Sequence, residues 1–279
     1  MRELDSRLVT EAVSEMCMTA NCRLGEDVKA ALARAERLET SPLGRTVLQT
    51  LLENAALAES ENIPICQDTG LTVVFLELGQ DLRLLGDLEK AVNAGVARGY
   101  EAGYLRKSMV RDPLRRVNTG DNTPAVIHLG LAPGDRLKIT VVPKGFGSEN
   151  MGALALLKPA AGVEGVKNFV LETVRAAGAN PCPPVIVGVG LGGTMELAAL
   201  LAKKALLRPL GQGHPDPFWA GLESELLEAI NRLDIGPAGF GGRTTALAVH
   251  LNPHPTHIAG LPAAVNLNCH AARHQTRIL

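Results

Sequence analysis

Apolar residues recur at helical spacing through residues 4–38. Leu8, Val9, Val13 and Met16, then Val28, Leu32 and Ala35, share faces, with a predicted break at Asn21–Gly25. Ser41-Pro42 marks a fresh start, because proline is tolerated in a helix's first turn, and the helix it predicts carries Val47, Leu48, Leu51, Leu52 and Leu57. Residues 63–70 then read as a loop, and the apolar, β-rich run Leu71–Leu78 reads as a buried strand. A helix is expected over 86–104 and a polar, basic loop over 106–124. Ala125–Leu131 and Arg136–Val142 flank Ala132-Pro133-Gly134-Asp135 like the arms of a hairpin. Residues 144–150 form a second glycine loop, with Ser148 or Glu149 placed to start a helix. Helices are expected over 163–177, 194–207 and 218–233, and strands over 183–189, 244–251 and 263–267.

This alternation of hairpin and strand–helix patterns predicts an α+β fold with mixed sheets surrounded by helices. Residues 1–279 are expected to form a single domain, with the Gly-, His- and Pro-rich stretch 210–217 as the candidate subdomain border. Aromatics make up 3% of the chain, so the core must be built from small and branched aliphatics, and base-stacking platforms for nucleic acid are unexpected. A net charge of −1 supplies no broad electrostatic footprint for nucleic acid or an anionic membrane. No apolar run approaches the roughly 18 residues a membrane span needs, and the amphipathic start is not a signal peptide. A reducing cytoplasm is the expected location, where the odd number of cysteines would stay free of disulfides.

Three of the five cysteines stand beside turn residues: Cys66 in Pro-Ile-Cys-Gln-Asp, Cys182 between prolines, and Cys269 before His270. A structural cysteine usually lies within an apolar strand or helix face, so these loop settings point to metal ligation. Thiolates are the ligands of iron–sulfur clusters, and three of them would leave one iron open to substrate. Cys17 and Cys22 stand in a helical stretch at a spacing that takes them off a common face, and packing is the better reading.

Four segments, ICQDTG at 65–70, KGFGSENMGALALLKPAAG at 144–162, CPPVIVGVGLGGTME at 182–196 and LPAAVNLNCHAARH at 261–274, closely resemble class I fumarases and L-tartrate dehydratases, in the same order. The resemblance implies the α subunit of a two-subunit, oxygen-sensitive hydro-lyase, with an N-terminal-domain-like fold of the class I fumarases. Cys66, Cys182 and Cys269 would hold a [4Fe–4S] cluster. Gln67, Asp68, Arg106, Gly147 and His257 would contact a small dicarboxylate. The chain ends soon after the last motif, whereas single-chain members continue into a further domain. A separate β subunit in an α2β2 heterotetramer is therefore implied. Reversible hydration of fumarate to malate is the expected reaction, with L-tartrate dehydration as the alternative.

The residue chemistry agrees with that reading. Arginine pairs bidentately with carboxylates, glycine loops expose N–H groups to anions, and proton abstraction beside a carboxylate needs a positioned base. Asp68 would serve as that base or as an orienting group, and an Asp before Thr-Gly is also a common turn former. Among rivals, Gly188–Gly193 fits a dinucleotide fingerprint, but no second strand ending in an acidic residue follows. The glycines are better read as allowing a helix to lie close on a strand. Asp68-Thr69-Gly70 suggests an aspartic protease loop, yet the chain has only one in a helix-rich setting. A zinc hydrolase is the stronger rival: His250, His254, His257, His270 and His274 crowd the last thirty residues beside Cys269. A cluster-carrier role would require a fourth thiolate, for which Cys22 is the candidate.

Overall fold

A computed structural model describes residues 2–279 and divides the chain into two compact units. The first takes the chain up to Gly25 together with Asn54–Phe146 and Arg273–Leu279; the second takes Glu26–Glu53 and Gly147–Ala272. Residues 210–217 lie inside the second unit.

In the first unit, strands β2 (Leu71–Gly79), β4 (Val126–Ala132), β5 (Leu137–Lys144) and β10 (Gln275–Ile278) form one mixed sheet in the order β10-β5-β2-β4. β2 is parallel to β4 and antiparallel to β5. Helices α1 (Ser6–Cys22) and α4 (Leu88–Ala102) bring Val9, Val13, Met16, Val92, Val96 and Tyr100 into one core with Val74, Leu76, Leu137, Ile139 and Val141 of the sheet. The two helices pack closely because α4 presents glycines to α1. A Cβ on Gly95 or Gly99 would lie 2.7 Å from the carbonyl oxygen of Thr10 or Ser14. Strands β1 (Arg2–Asp5) and β3 (Leu82–Leu85) add a short parallel pair.

The hairpin expected over 125–142 does not form. β2 lies between its two arms, and the end of β2 is bonded to the intended turn: Gly79 N–H to Arg136 O, Gln80 N–H to Ala132 O, and Asp81 N–H to Gly134 O. β2 carries the most continuous apolar run of the three strands, so burying it between the other two removes the most apolar surface from water.

The second unit holds a sheet in the order β6-β9-β7-β8, made by β6 (Ala153–Leu157), β7 (Val185–Gly193), β8 (Ala246–Thr256) and β9 (Leu261–Asn268). β7 is parallel to β8 and antiparallel to β9. Its alternate residues serve two faces. Val185, Val187, Val189 and Leu191 meet Val166, Val170 and Val174 of α6 (Gly162–Ala177) and Leu222, Leu226 and Ile230 of α8 (Pro217–Asn231). On the other face, Gly188 and Gly190 run beneath α7 (Met195–Ala205), where an added Cβ would fall 2.2 and 2.0 Å from the carbonyl oxygens of Ala202 and Ala198. These glycines therefore permit close strand–helix packing, as the sequence suggests. Helices α2 (Glu26–Leu38) and α3 (Pro42–Glu61) complete the N-terminal half, and the border between the units falls within α3.

The fold is α+β with mixed sheets, as expected. No described helix is long and apolar enough to cross a membrane. The glycine loop at 144–150 departs from expectation: Phe146–Glu149 is a one-turn helix, α5, that leads into strand β6 rather than into a long helix.

Candidate active site

In the first unit the loop before β2 is tied down by a series of hydrogen bonds. Ile65 N–H donates to Asn21 O at 2.9 Å, and Asn54 Nδ2 donates to Ile65 O at 2.9 Å. Half-buried Cys66 follows, its Sγ accepting the N–H of Asp68 at 3.4 Å. The Asp68 carboxylate is divided between two backbone donors: Gly70 N–H to Oδ1 at 3.0 Å and Phe146 N–H to Oδ2 at 2.8 Å. Thr69 Oγ1 donates to the carbonyl of Arg106 at 2.9 Å, which places the exposed Arg106 beside the same loop. Gly70 has φ +79°, and a Cβ there would lie 2.7–2.8 Å from the backbone of Pro143 and Lys144, so only glycine fits. Cys66, Gln67, Asp68 and Arg106 are thus gathered in one place.

In the second unit a different set meets at one edge of the sheet. Cys182 precedes β7 and Cys269 follows β9, and because these strands are antiparallel the two residues reach the same edge. His270 stitches them, its N–H and Nδ1 standing 3.4 and 3.0 Å from the Cys182 carbonyl. Exposed Cys182 is held at φ +54°, a left-handed conformation unusual outside glycine, of the kind that persists where the surroundings over-determine it. Exposed Gly147 belongs to this edge, its Cα side facing Asn180 O. Its turn is clamped by Glu149, which accepts from Lys203 Nζ at 2.6 and 2.7 Å and from Asn266 Nδ2 at 3.0 Å. His257 is placed elsewhere. It sits in the turn between β8 and β9, at the opposite end of β9 from Cys269, a strand length of roughly 25 Å away.

Comparison with known proteins shows the family of the chain. The model of the fumarate hydratase (Fumerase) family matches residues 10–278. A putative L(+)-tartrate dehydratase subunit alpha of Methanocaldococcus jannaschii is 43% identical over 272 residues, 95% of each chain. The L(+)-tartrate dehydratase subunit alpha of Escherichia coli K12 is 36% identical over 275 residues, covering 97% of this chain and 90% of that one. The chain belongs to the fumarate hydratase family. Within that family its reaction class is that of a hydro-lyase, an enzyme that adds or removes water across a carbon–carbon bond.

The remaining cysteines and histidines of this fumarate hydratase family member fit structural roles. Burial pushes the Cys17 thiol up to about 12, with the neighbouring Thr72 side chain opposing the shift. Cys22, the last residue of α1, is also raised by burial, which outweighs the opposing charges of Arg23 and Arg273. The C-terminal histidines do not converge. His250 is buried and its pKa is lowered by desolvation and by Arg208, while His254, in β8, and His257, in the turn after it, are exposed and bonded to the backbone of their own neighbours. Among the described residues no group of three or more His, Cys, Asp or Glu side chains is arranged to hold a metal ion. A single zinc needs its ligands about 2 Å from one point, so the zinc reading loses its ligand set.

Several contributors escaped the sequence reading. Buried Tyr100 donates its hydroxyl to the Thr69 carbonyl at 2.7 Å, with the Gly70 carbonyl at 3.0 Å. Buried Asn122 accepts from the N–H groups of Ser108 and Met109 at 2.7 and 3.1 Å and donates to Gly70 O at 3.2 Å. It joins the basic loop to the site loop. Arg273 donates through Nη2 to the Asp68 carbonyl. The one available signal was Asn266, a polar residue within an apolar strand.

Proposed function

We propose that the chain is the α subunit of a [4Fe–4S]-dependent hydro-lyase that adds water to, or removes it from, a four-carbon dicarboxylate in a reducing cytoplasm. The observation that carries the proposal is the setting of three cysteines that form no disulfide. Cys66, Cys182 and Cys269 stand in constrained loops and are half-buried or exposed, in contrast to the buried Cys17 and Cys22. The donor set fits a cluster. Its thiolates each take a different iron, so they need not crowd one point, and the N–H of Asp68 on Cys66 Sγ is the kind of bond that supports a ligand thiolate. Cys66, Cys182 and Cys269 would hold it. When bound, the cluster supplies a Lewis acid that makes hydroxide a feasible leaving group.

The chain's own residues supply the rest. The exposed Arg106 guanidinium makes no ion pair among the described residues and would take one substrate carboxylate in bidentate fashion. Gln67, exposed beside Cys66, would orient the substrate through its amide, and the backbone at Gly147 would meet a second carboxylate. Asp68 would hold the proton taken from the carbon beside a carboxylate. Each of its oxygens already accepts one N–H, which fixes the group in place and leaves a further lone pair on each. By resemblance His257 also contacts substrate.

The relatives are named subunit alpha, which supports a separate β subunit that completes the pocket in an α2β2 assembly. Fumarate hydration to malate is the primary reading, supported by the name of the family model. L-tartrate dehydration is the second reading, supported by the names of the relatives. The test is to co-express the chain with its partner, purify both without oxygen and compare kcat/KM for fumarate, malate and L-tartrate. A preference for fumarate and malate supports the first reading and a preference for tartrate the second. No turnover of any of them by an iron-loaded complex would overturn both.

A further inference from the structure

The Arg273 guanidinium is an unusual group to find inside the first unit. It is only 5% exposed and makes no ion pair among the described residues. Nη2 donates to the Asp68 carbonyl, but Nε and Nη1 are buried with no hydrogen-bond partner among the described residues. Guanidinium has five N–H donors and a fixed positive charge, so a burial of this kind calls for an anion nearby. The Asp68 carboxylate forms no ion pair with it among the described residues; its two oxygens face the N–H groups of Gly70 and Phe146. What the guanidinium does hold is the residue whose own N–H is bonded to Cys66 Sγ. Its charge also reaches the buried Cys22 thiol, where it opposes the effect of burial.

We propose that Arg273 is the positioning residue of the Cys66–Asp68 loop and the fixed positive charge that balances the anionic cluster Cys66 helps to hold. This rests on the iron–sulfur reading given above. Thiolate ligation makes the cluster anionic, and net charge and hydrogen bonding around its sulfurs set its reduction potential. A cation beside it favours the more negative, reduced state. Removing that charge therefore lowers the potential and makes the oxidised, iron-losing state easier to reach.

The experiment compares Arg273→Gln, Arg273→Lys and Thr69→Val in the full chain co-expressed with its partner. Thr69→Val removes a bond from the same loop without changing its charge. Iron and sulfide per chain are measured first, then the cluster's midpoint potential and the rate of iron loss on aeration. Arg273→Gln should lower the potential and lose iron several-fold faster, while Arg273→Lys and Thr69→Val stay near wild type in potential. A wild-type potential in Arg273→Gln, or an equal shift in all three variants, would overturn the proposal. Should Arg273→Gln fail to fold, Arg273→His takes its place. Relative to wild type its potential should fall as pH rises through the ordinary histidine range, and a pH profile parallel to wild type would overturn the proposal. A wild-type complex that binds no iron would instead defeat the iron–sulfur reading itself, and this proposal with it.

Discussion

Around Asp68 the structure spends many bonds on few residues. Tyr100 is fully buried, and burial raises the pKa of its hydroxyl, so it remains a donor at all ordinary pH. Tyr100→Phe leaves the Thr69 carbonyl without that donor and should cost about 1–2 kcal/mol of stability, read from denaturant unfolding. Gly70→Ala is harsher, since it combines φ +79° with a Cβ 2.7 Å from backbone, and a loss of at least about 2 kcal/mol is expected in the same assay. Asp68→Asn separates chemistry from support. If Asp68 carries the proton, kcat should fall by about 10²–10⁴ with the iron content kept, and unchanged kcat would assign the residue to orientation alone. At this scale the candidate residues are legible in the sequence, because Cys, Asp and Arg in turn-rich segments stand out. The sequence did not show Tyr100, Asn122 or Arg273, whose partners lie tens or hundreds of positions away and whose residue types have many other uses.

Among the elements, helices were legible and short strands were not. The 3.6-residue period of α1, α4, α6 and α8 is long enough to be read directly. β1, β3 and β10 have four residues each and owe their form to their neighbours rather than to any period of their own. The false hairpin came from the same limit: turn chemistry at Pro133-Gly134 predicts a reversal, but only the sheet decides which strand lies beside which. Two junctions carry predictions. Gly190→Ala would drive a Cβ to 2.0 Å from the Ala198 carbonyl, prising α7 from β7, and roughly 3 kcal/mol or more should be lost on unfolding. Glu39, at the end of α2, is buried and accepts the N–H groups of Thr40, Ser41, Arg243 and Thr244. Burial pushes its pKa up, but those four donors together outweigh burial and hold it below the ordinary 4.5. A lowered folded-state pKa means stability that is complete above about pH 4.5 and is lost as pH falls through the folded value. Glu39→Gln should therefore flatten the acid limb of the stability–pH curve, and an unchanged limb would assign the acid sensitivity to other groups.

For the whole molecule, family membership was legible because four motifs in fixed order leave little room for coincidence. Substrate identity was not, since the two names attached to the family and to its relatives describe the same chemistry on closely similar dicarboxylates. The place of His257 is likewise set by the sheet: a full antiparallel strand, β9, separates it from Cys269, and no local pattern in the sequence reveals that. The proposed complex should lose activity on aeration and regain it on anaerobic treatment with iron and a reductant, as an open iron is the first to leave an oxidised cluster. Activity that survives prolonged aeration would speak against an open iron.

The central claim is that Cys66, Cys182 and Cys269 hold a [4Fe–4S] cluster, and iron and sulfide analysis of the anaerobically reconstituted chain tests it most directly. The account predicts about four irons and four sulfides per chain with a brown chromophore, lost in Cys66→Ala, Cys182→Ala or Cys269→Ala and kept in Cys22→Ala. A colourless chain that takes up no iron, or a chromophore indifferent to all three substitutions, would contradict it.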